Sequence, residues 1–299
     1  MRILITGGTG LIGRRLCKAL LAEEHELTVL SRNPASVPVK CGAGVKAMAS
    51  LAEWHPGQTF DAVINLAGEP IVDARWTAQR KQALWESRVV LTGNLVRCIA
   101  AAGHKPAVLL SGSAVGYYGN GGDLMLDESA RAGEDFAAQL CEAWEDAARV
   151  AENLNVRVCL MRTGLVLSSE GGMLGRMLLP FKICLGARLG NGKQWMSWVH
   201  IDDYVAMVLR LLRDEQTRGP YNMTAPQPVT NAEFTAALAH ALHRLAIFVA
   251  PAALLKLAMG ERASLLLEGQ RVLPRKMQAA RFRFAFANLA DALRDLLGK

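Results

Sequence analysis

The aliphatic run Ile3-Leu4-Ile5 ends abruptly in Thr6-Gly7-Gly8-Thr9-Gly10-Leu11-Ile12-Gly13, and nothing later in the chain restricts its fold as much. Branched and aliphatic residues ahead of a glycine turn read as a buried parallel strand. Leu11, Ile12, Leu16, Leu20 and Leu21 then recur at helical spacing. Strand, glycine turn and helix form the context in which Gly8-x-Gly10-x-x-Gly13 becomes a dinucleotide fingerprint rather than an ordinary tight turn. The first glycines permit a turn that side chains would block. Gly10 lets the backbone approach a pyrophosphate, and Gly13 lets helix and strand pack closely. Unpaired N–H groups and a partial positive charge at the helix start attract that phosphate. Gly7, Thr9, Gly10, Leu11, Ile12 and Gly13 are therefore the expected cofactor contacts.

The strand expected at Glu26–Leu30 selects the cofactor. An NAD-binding fold places an acidic residue there to take the ribose 2′-hydroxyl. This chain has Ser31 and Arg32 instead. A carboxylate would repel a 2′-phosphate, whereas an arginine offers charge-assisted hydrogen bonds of roughly 1.5–3 kcal/mol each. NADP(H) is the expected cofactor, with Ser31 and Arg32 at its 2′-phosphate. The alternative is that Arg32 is a solvated turn residue.

The rest of the chain repeats strand and helix. A weak strand is expected near 45–48 and a strong one from Asp61, ending in the small turn Leu66-Ala67-Gly68. Small residues there let backbone approach a ligand, so Leu66, Ala67, Gly68 and the following Glu69 are cofactor candidates. A helix is expected over 77–102, a strand at 107–110 capped by Ser111-Gly112-Ser113, a helix over 136–154 and a strand at 157–161. These units predict an α/β fold, a Rossmann-type doubly wound parallel sheet with a smaller C-terminal substrate lobe. The expected division is 1–165 for the cofactor and 166–299 for the lobe, with segments such as 199–224 returning to the first domain. In the second half, Asp202 or Asp203 is expected to start a helix through Leu212, a short strand falls at 221–223, and helices at 231–243, 251–268 and 288–297.

Composition narrows the alternatives. Of 299 residues, 51% are hydrophobic and 20% charged, too apolar for a disordered chain. No apolar run reaches the ~18–20 residues of a membrane span, and the chain begins on a strand, so neither a membrane partner nor a signal peptide is expected. The six cysteines, at 17, 41, 98, 141, 159 and 184, lack metal-ligand spacing. No metal is expected, and free thiols in a reducing cytoplasm are. The net charge of +7 comes from dispersed residues without interleaved aromatics, which makes nucleic acid an unfavoured partner beside a small-molecule substrate. Oligomeric state is not readable.

Thr6-Gly7-x-x-Gly10-x-Ile12-Gly13, Asn65-Leu66-Ala67-Gly68, Ser111-Gly-Ser113 and Arg162-Thr163-Gly164 together resemble the extended short-chain dehydrogenase/reductase superfamily, which includes sugar-nucleotide epimerases. Ser113-Ala-Val-Gly-Tyr-Tyr-Gly119, Gly171-Gly-Met-Leu174, Gly192-Lys-Gln-Trp195, Trp198-Val-His-Ile-Asp-Asp203 and Leu267-Glu-Gly-Gln-Arg271 are similar to its atypical "epimerase family" subgroup of NADP-binding proteins. The resemblance implies that the segment from Arg88 to Asn94 runs beside the nicotinamide half. Arg88, where asparagine is commoner, is a candidate phosphate contact, and Ser111 joins the cofactor set.

The resemblance also exposes an absence. The superfamily uses a Tyr-x-x-x-Lys pair on the helix after the serine-bearing strand. None of the four tyrosines has lysine four residues later, and Leu140 and Trp144 fall at the expected places. An unassisted tyrosine, with a pKa near 10, is a poor base at neutral pH. Ser113, Tyr117 and Tyr118 are the catalytic candidates. Tyr117 and Tyr118 either orient a substrate or wall the nicotinamide pocket. Glu69 and His200 are further acid/base candidates, although a histidine before a helix start is more often structural. Trp195 and Trp198 either stack a flat ligand or fill an interface, and Lys193 either meets an anion or is solvated. Two functions follow: an NADP(H)-dependent epimerase- or reductase-like enzyme for a small polar carbonyl, alcohol or sugar-type substrate, or a non-catalytic NADP(H)-binding sensor.

Overall fold

In the strand Arg2–Thr6 (β1), alternation sends Ile3 and Ile5 to one face of a sheet and Leu4 to the other, all three fully buried. A strand apolar on both sides requires cover on both sides, which a parallel sheet flanked by helices supplies. In the computed structural model, which describes residues 1–298, six further strands extend this sheet. They are β2 (Glu26–Leu30), β3 (Lys46–Met48), β4 (Ala62–Asn65), β5 (Val108–Ala114), β6 (Arg157–Thr163) and β7 (Gly219–Met223). Every pairing is parallel, in the order β7-β6-β5-β4-β1-β2-β3. The order reverses between β1 and β4, and a crevice opens beyond the strand ends at such a reversal.

Two apolar layers hold this sheet. On one face, Leu16, Cys17 and Leu20 of the helix Leu11–Ala22 pack with Val205, Val208 and Leu211 of the helix Ile201–Arg213. On the other, Leu95, Val96, Ile99 and Ala148 meet Leu4, Val63 and Leu109. A third cluster, including Leu174, Phe181, Trp198, Phe234 and Leu293, forms a separate core in the second half.

Several elements differ from expectation for identifiable reasons. The helix over 78–101 carries a π turn at Glu86–Val90, which changes the facing of the residues that follow. The helix expected over 136–154 is α-helical only to Arg149 and tightens into a 3-10 turn ending at Leu154. The expected 251–268 helix breaks at Gly260, whose φ of +64° is costly for any other residue, into Ala252–Met259, a short turn and Ser264–Leu267. The glycine-rich region after 170 hides a helix, Gly172–Lys182, which forms although Pro180 lies inside it because Leu174 and Phe181 bury against the third cluster. Trp195 and Trp198 do not act together. Trp198 is fully buried and donates to the Gln227 carbonyl, whereas Trp195 is half-buried and donates to Asp123. Among the described residues no helix is long and apolar enough to cross a membrane.

His200, rather than an aspartate, caps the helix Ile201–Arg213. Its Nδ1 accepts the Asp202 N–H at 3.1 Å, so the proton of the neutral ring sits on Nε2. That Nε2 lies 3.2 Å from an Asp295 oxygen but off the line of a hydrogen bond. Burial lowers the His200 pKa below its ordinary value despite the nearby Asp202, Asp295 and Asp203. The unfolded chain therefore binds this proton more readily, and stability falls as pH drops through about 6.5 toward the depressed folded value. Thermal melts from pH 7.5 to 5 are expected to fall more steeply for the native chain than for His200→Gln. Parallel slopes would remove His200 from the acid response.

Candidate functional site

The glycine turn is built by close approach rather than by composition. Gly7 has φ +70°, and a Cβ there would meet the Leu66 carbonyl carbon at 2.6 Å. A Cβ on Gly13 would meet Gly8 Cα at 2.6 Å, so helix and strand pack at a distance only glycine permits. Gly10 is different. Among the described residues the Gly7 carbonyl oxygen is the only neighbour near its missing side chain, no side chain caps the helix it starts, and the first turn holds no acid. Those features leave backbone N–H groups free for an anion. Arg14, in the same turn, has a buried Nε without a partner. Leu11 touches the loop at Gly172, Ile12 packs into the first apolar layer, and Thr9 stays half-buried at the turn.

Ser31 and Arg32 follow β2 directly. Ser31 bonds within its own turn to Asn33, and the Arg32 side chain is 92% exposed. Its guanidinium holds one Glu69 carboxylate oxygen at 2.7 Å while Arg80 holds the other at 3.3 Å. The hydrogen bond from Arg32 leads in keeping the Glu69 carboxyl below its ordinary pKa. A carboxylate clamped by two arginines is a poor proton acceptor, which disfavours Glu69 as the base. It marks instead a place where two cations already receive an anion. Arg88 lies beneath, donating to the Glu69 carbonyl at 2.8 Å and packing so close to Gly68 that a Cβ there would sit 2.9 Å from its guanidinium carbon. Arg88 thus fixes the backbone of the Leu66-Ala67-Gly68 turn.

A polar seam crosses the floor of the crevice. Thr6 donates to Asn65 at 2.6 Å and accepts the Ala67 N–H at 3.1 Å. Asn65 donates to Thr92 at 2.8 Å and toward Ser111 at 3.4 Å, and the Trp144 indole donates to Thr92 at 2.9 Å. Trp144 and Leu140 are both buried. The superfamily's tyrosine and lysine positions are therefore part of the packing.

Ser113, one residue before the end of β5, belongs to a second cluster. Its hydroxyl donates to Glu145 at 2.8 Å, and Glu145 receives two further bonds from Arg162, at 2.8 and 3.0 Å. Glu145 and Arg162 are each 2% exposed, and Arg149 approaches Glu145 at 3.6 Å. Burial opposes the charge on Arg162, but its bonds to Glu145 outweigh that and raise its pKa further above the usual arginine value. Arg162 also donates to the Tyr118 hydroxyl at 3.0 Å and lies 3.5 Å from the Tyr117 ring centre. Tyr118 in turn donates to Asn222 at 2.7 Å, and burial pushes its pKa up to about 12. Tyr118 is locked on both sides, while Tyr117 is half-buried.

The structure therefore brings together Gly7, Thr9, Gly10, Leu11, Ile12, Gly13, Ser31, Arg32, Leu66, Ala67, Gly68, Glu69 and Arg88 at the ends of β1, β2 and β4. The strand expected to stop at 110 runs on to Ala114, because its pairing with β6 continues to Thr163, so Ser111 lies in the middle of β5, Ser113 one residue before its end, and Tyr117 and Tyr118 beyond it. Sequence reasoning missed Arg14, Arg80 and Glu145. Glu145 had a legible signal, since it falls four residues after Cys141 on the face that buries Ala137, Cys141 and Ala148. A carboxylate on such a face needs a partner.

Comparison with known proteins adds to this geometry. Residues 3–224 match the family described as the NAD dependent epimerase/dehydratase family, and residues 250–296 match a domain of unknown function. An epimerase family protein of Mycobacterium leprae is 39% identical over 302 residues, covering 97% of this chain and 94% of its own. The chloroplastic homolog of epimerase family protein SDR39U1 from Arabidopsis thaliana is 38% identical, covering 99% of this chain and 87% of its own. The crystal structure of human epimerase family protein SDR39U1 (isoform 2) with NADPH aligns with a TM-score of 0.91 at 34% identity, covering all of both chains.

Proposed function

Because the chain belongs to the NAD dependent epimerase/dehydratase family, we propose that it binds NADP(H) and acts on a small polar alcohol, carbonyl or sugar-type substrate. The observation that carries the cofactor choice is Arg32, exposed at the end of β2 where an acidic residue would select NAD. The similarity to human SDR39U1, crystallised with NADPH, supports the same choice. Gly10 and the start of the helix Leu11–Ala22 would hold the pyrophosphate, Ser31 and Arg32 the 2′-phosphate, and Leu66, Ala67 and Gly68 would border the cofactor with Arg88 beneath them. Residues 1–165 supply this half and 166–299 the substrate lobe, with 199–224 returning to the first. A reducing cytoplasm suits the six free cysteines.

When bound, the cofactor supplies or accepts a hydride. The residues of the chain orient the group that the hydride leaves or joins. Ser113 commits its own hydrogen to Glu145, so toward a substrate its oxygen offers lone pairs only. That arrangement receives the O–H of an alcohol and orients it. Arg162 holds Glu145 in position to accept that hydrogen, and Tyr117 walls the adjacent space. Turnover of an alcohol, carbonyl or nucleotide-sugar panel by protein saturated with NADP⁺ or NADPH, followed by nicotinamide absorbance, tests the reading. Hydride transfer to or from one class is expected.

The burial of Leu140 and Trp144 where a tyrosine and a lysine would act favours a second reading, a non-catalytic NADP(H) sensor. Tight NADPH binding with no turnover across the panel would select it. Absence of NADPH binding would overturn both.

A further inference from the structure

Large aliphatic side chains stand in water on one side of the C-terminal lobe. Leu179 is 68% exposed, Leu245 71%, Ile247 74% and Leu257 77%, and Ile183 and Leu185 are more than half exposed. They belong to two segments that the fold joins. Arg244 donates to the Lys182 carbonyl at 3.0 Å, and Cys184 and Leu245 share one open depression. Phe248–Ala250 pairs with Ala187–Leu189, and the helix Ala252–Met259, which buries none of its residues, follows immediately. The two segments are therefore adjacent, and single exposed apolar residues are ordinary whereas a group of this size is not.

Its charge is one-sided. Residues 171–201 contain no Asp or Glu, and neither do residues 234–260. Lys182, Arg244 and Lys256 are exposed among the aliphatic groups. Three flanking acids are engaged elsewhere: Asp73 pairs with Arg176 at 2.6 Å, Glu261 with Lys81 at 2.7 Å, and Glu233 caps its own helix with Thr230.

We infer that this face, formed by residues 179–189 and 244–257, docks on the surface of an anionic lipid bilayer. Leucine and isoleucine side chains enter the acyl boundary while lysine and arginine heads stay level with the phosphates. Contact of this kind is peripheral and needs no membrane-spanning helix. A second copy of the chain fits less well, because a two-fold contact sets the patch against itself and brings Lys182, Arg244 and Lys256 against equal charges with no carboxylate to answer them. A protein partner also fits less well. Phe248 is the one exposed aromatic side chain of residues 179–189 and 244–257, which hold no Trp or Tyr, so the anchors in which protein interfaces are enriched are nearly absent.

Flotation of the full chain with phosphatidylcholine vesicles, with and without one third phosphatidylglycerol, tests the proposal. Binding to the anionic vesicles alone is expected, weakening roughly fivefold for each cation removed and strongly with added salt. Leu245→Glu/Leu257→Glu is expected to abolish flotation and Lys182→Glu/Lys256→Glu to reduce it by more than tenfold. Both pairs lie on the surface and are expected to keep the melting temperature and NADPH affinity of the native chain. No flotation with anionic vesicles, or equal flotation with neutral ones, would overturn the proposal. So would a dimer in solution that Leu245→Glu/Leu257→Glu dissociates, which would assign the face to a second copy.

Discussion

Arg32→Ala is expected to weaken NADPH binding by roughly 10- to 100-fold, the equivalent of one or two charge-assisted hydrogen bonds, and to leave NADH binding nearly unchanged. Titration of nicotinamide fluorescence with both cofactors measures it. The effect should be large because Arg32 projects into solvent from the end of β2 and makes its one polar contact, among the described residues, with Glu69. A 2′-phosphate takes over that contact and carries more charge than a carboxylate. Glu69 now competes for the same guanidinium, so Glu69→Gln is expected to raise NADPH affinity relative to NADH. Equal losses for the two cofactors in Arg32→Ala would show that Arg32 does not read the phosphate.

The second large effect concerns stability. Glu145→Ala leaves the Arg162 guanidinium, 2% exposed, without its carboxylate in the interior. Removing one member of a buried ion pair costs about 3–5 kcal/mol, since the remaining charge stays desolvated and unanswered. In a chain of this size that corresponds to a fall of about 5–8 °C in the melting temperature. The double replacement Glu145→Met/Arg162→Met is expected to recover most of the loss, because it removes both charges and fills the volume. A loss below about 1 kcal/mol in Glu145→Ala would mean that the pair contributes little beyond the hydrogen bond to Ser113. The double variant also separates stability from chemistry. If it folds and binds NADPH yet turns over no substrate, the Ser113–Glu145 contact has a role in the reaction.

The cofactor half was legible because its signal is local. Close backbone approach demands glycine at Gly7 and Gly13, and the sequence carries that demand at fixed spacing whatever surrounds it. Buried strands read as aliphatic runs, and seven parallel strands covered on both faces follow from their alternation with helices. The loss of the usual Tyr-x-x-x-Lys pair was equally readable, as leucine and tryptophan in its place. The helix Gly172–Lys182 was not, since the propensity of its glycines and Pro180 pointed the wrong way and packing against Phe234 and Leu293 decided the outcome.

By itself, then, the sequence determined the parallel α/β sheet, the glycine turn and the basic group at the end of β2, each written in neighbouring residues. Only the tertiary structure decided that Ser113 donates its hydrogen bond to Glu145, 32 residues away, that Arg162 holds that carboxylate, and that Arg32 already grips Glu69. Such contacts join positions distant along the chain, and a buried charge's partner is fixed by which strands and helices the fold sets side by side.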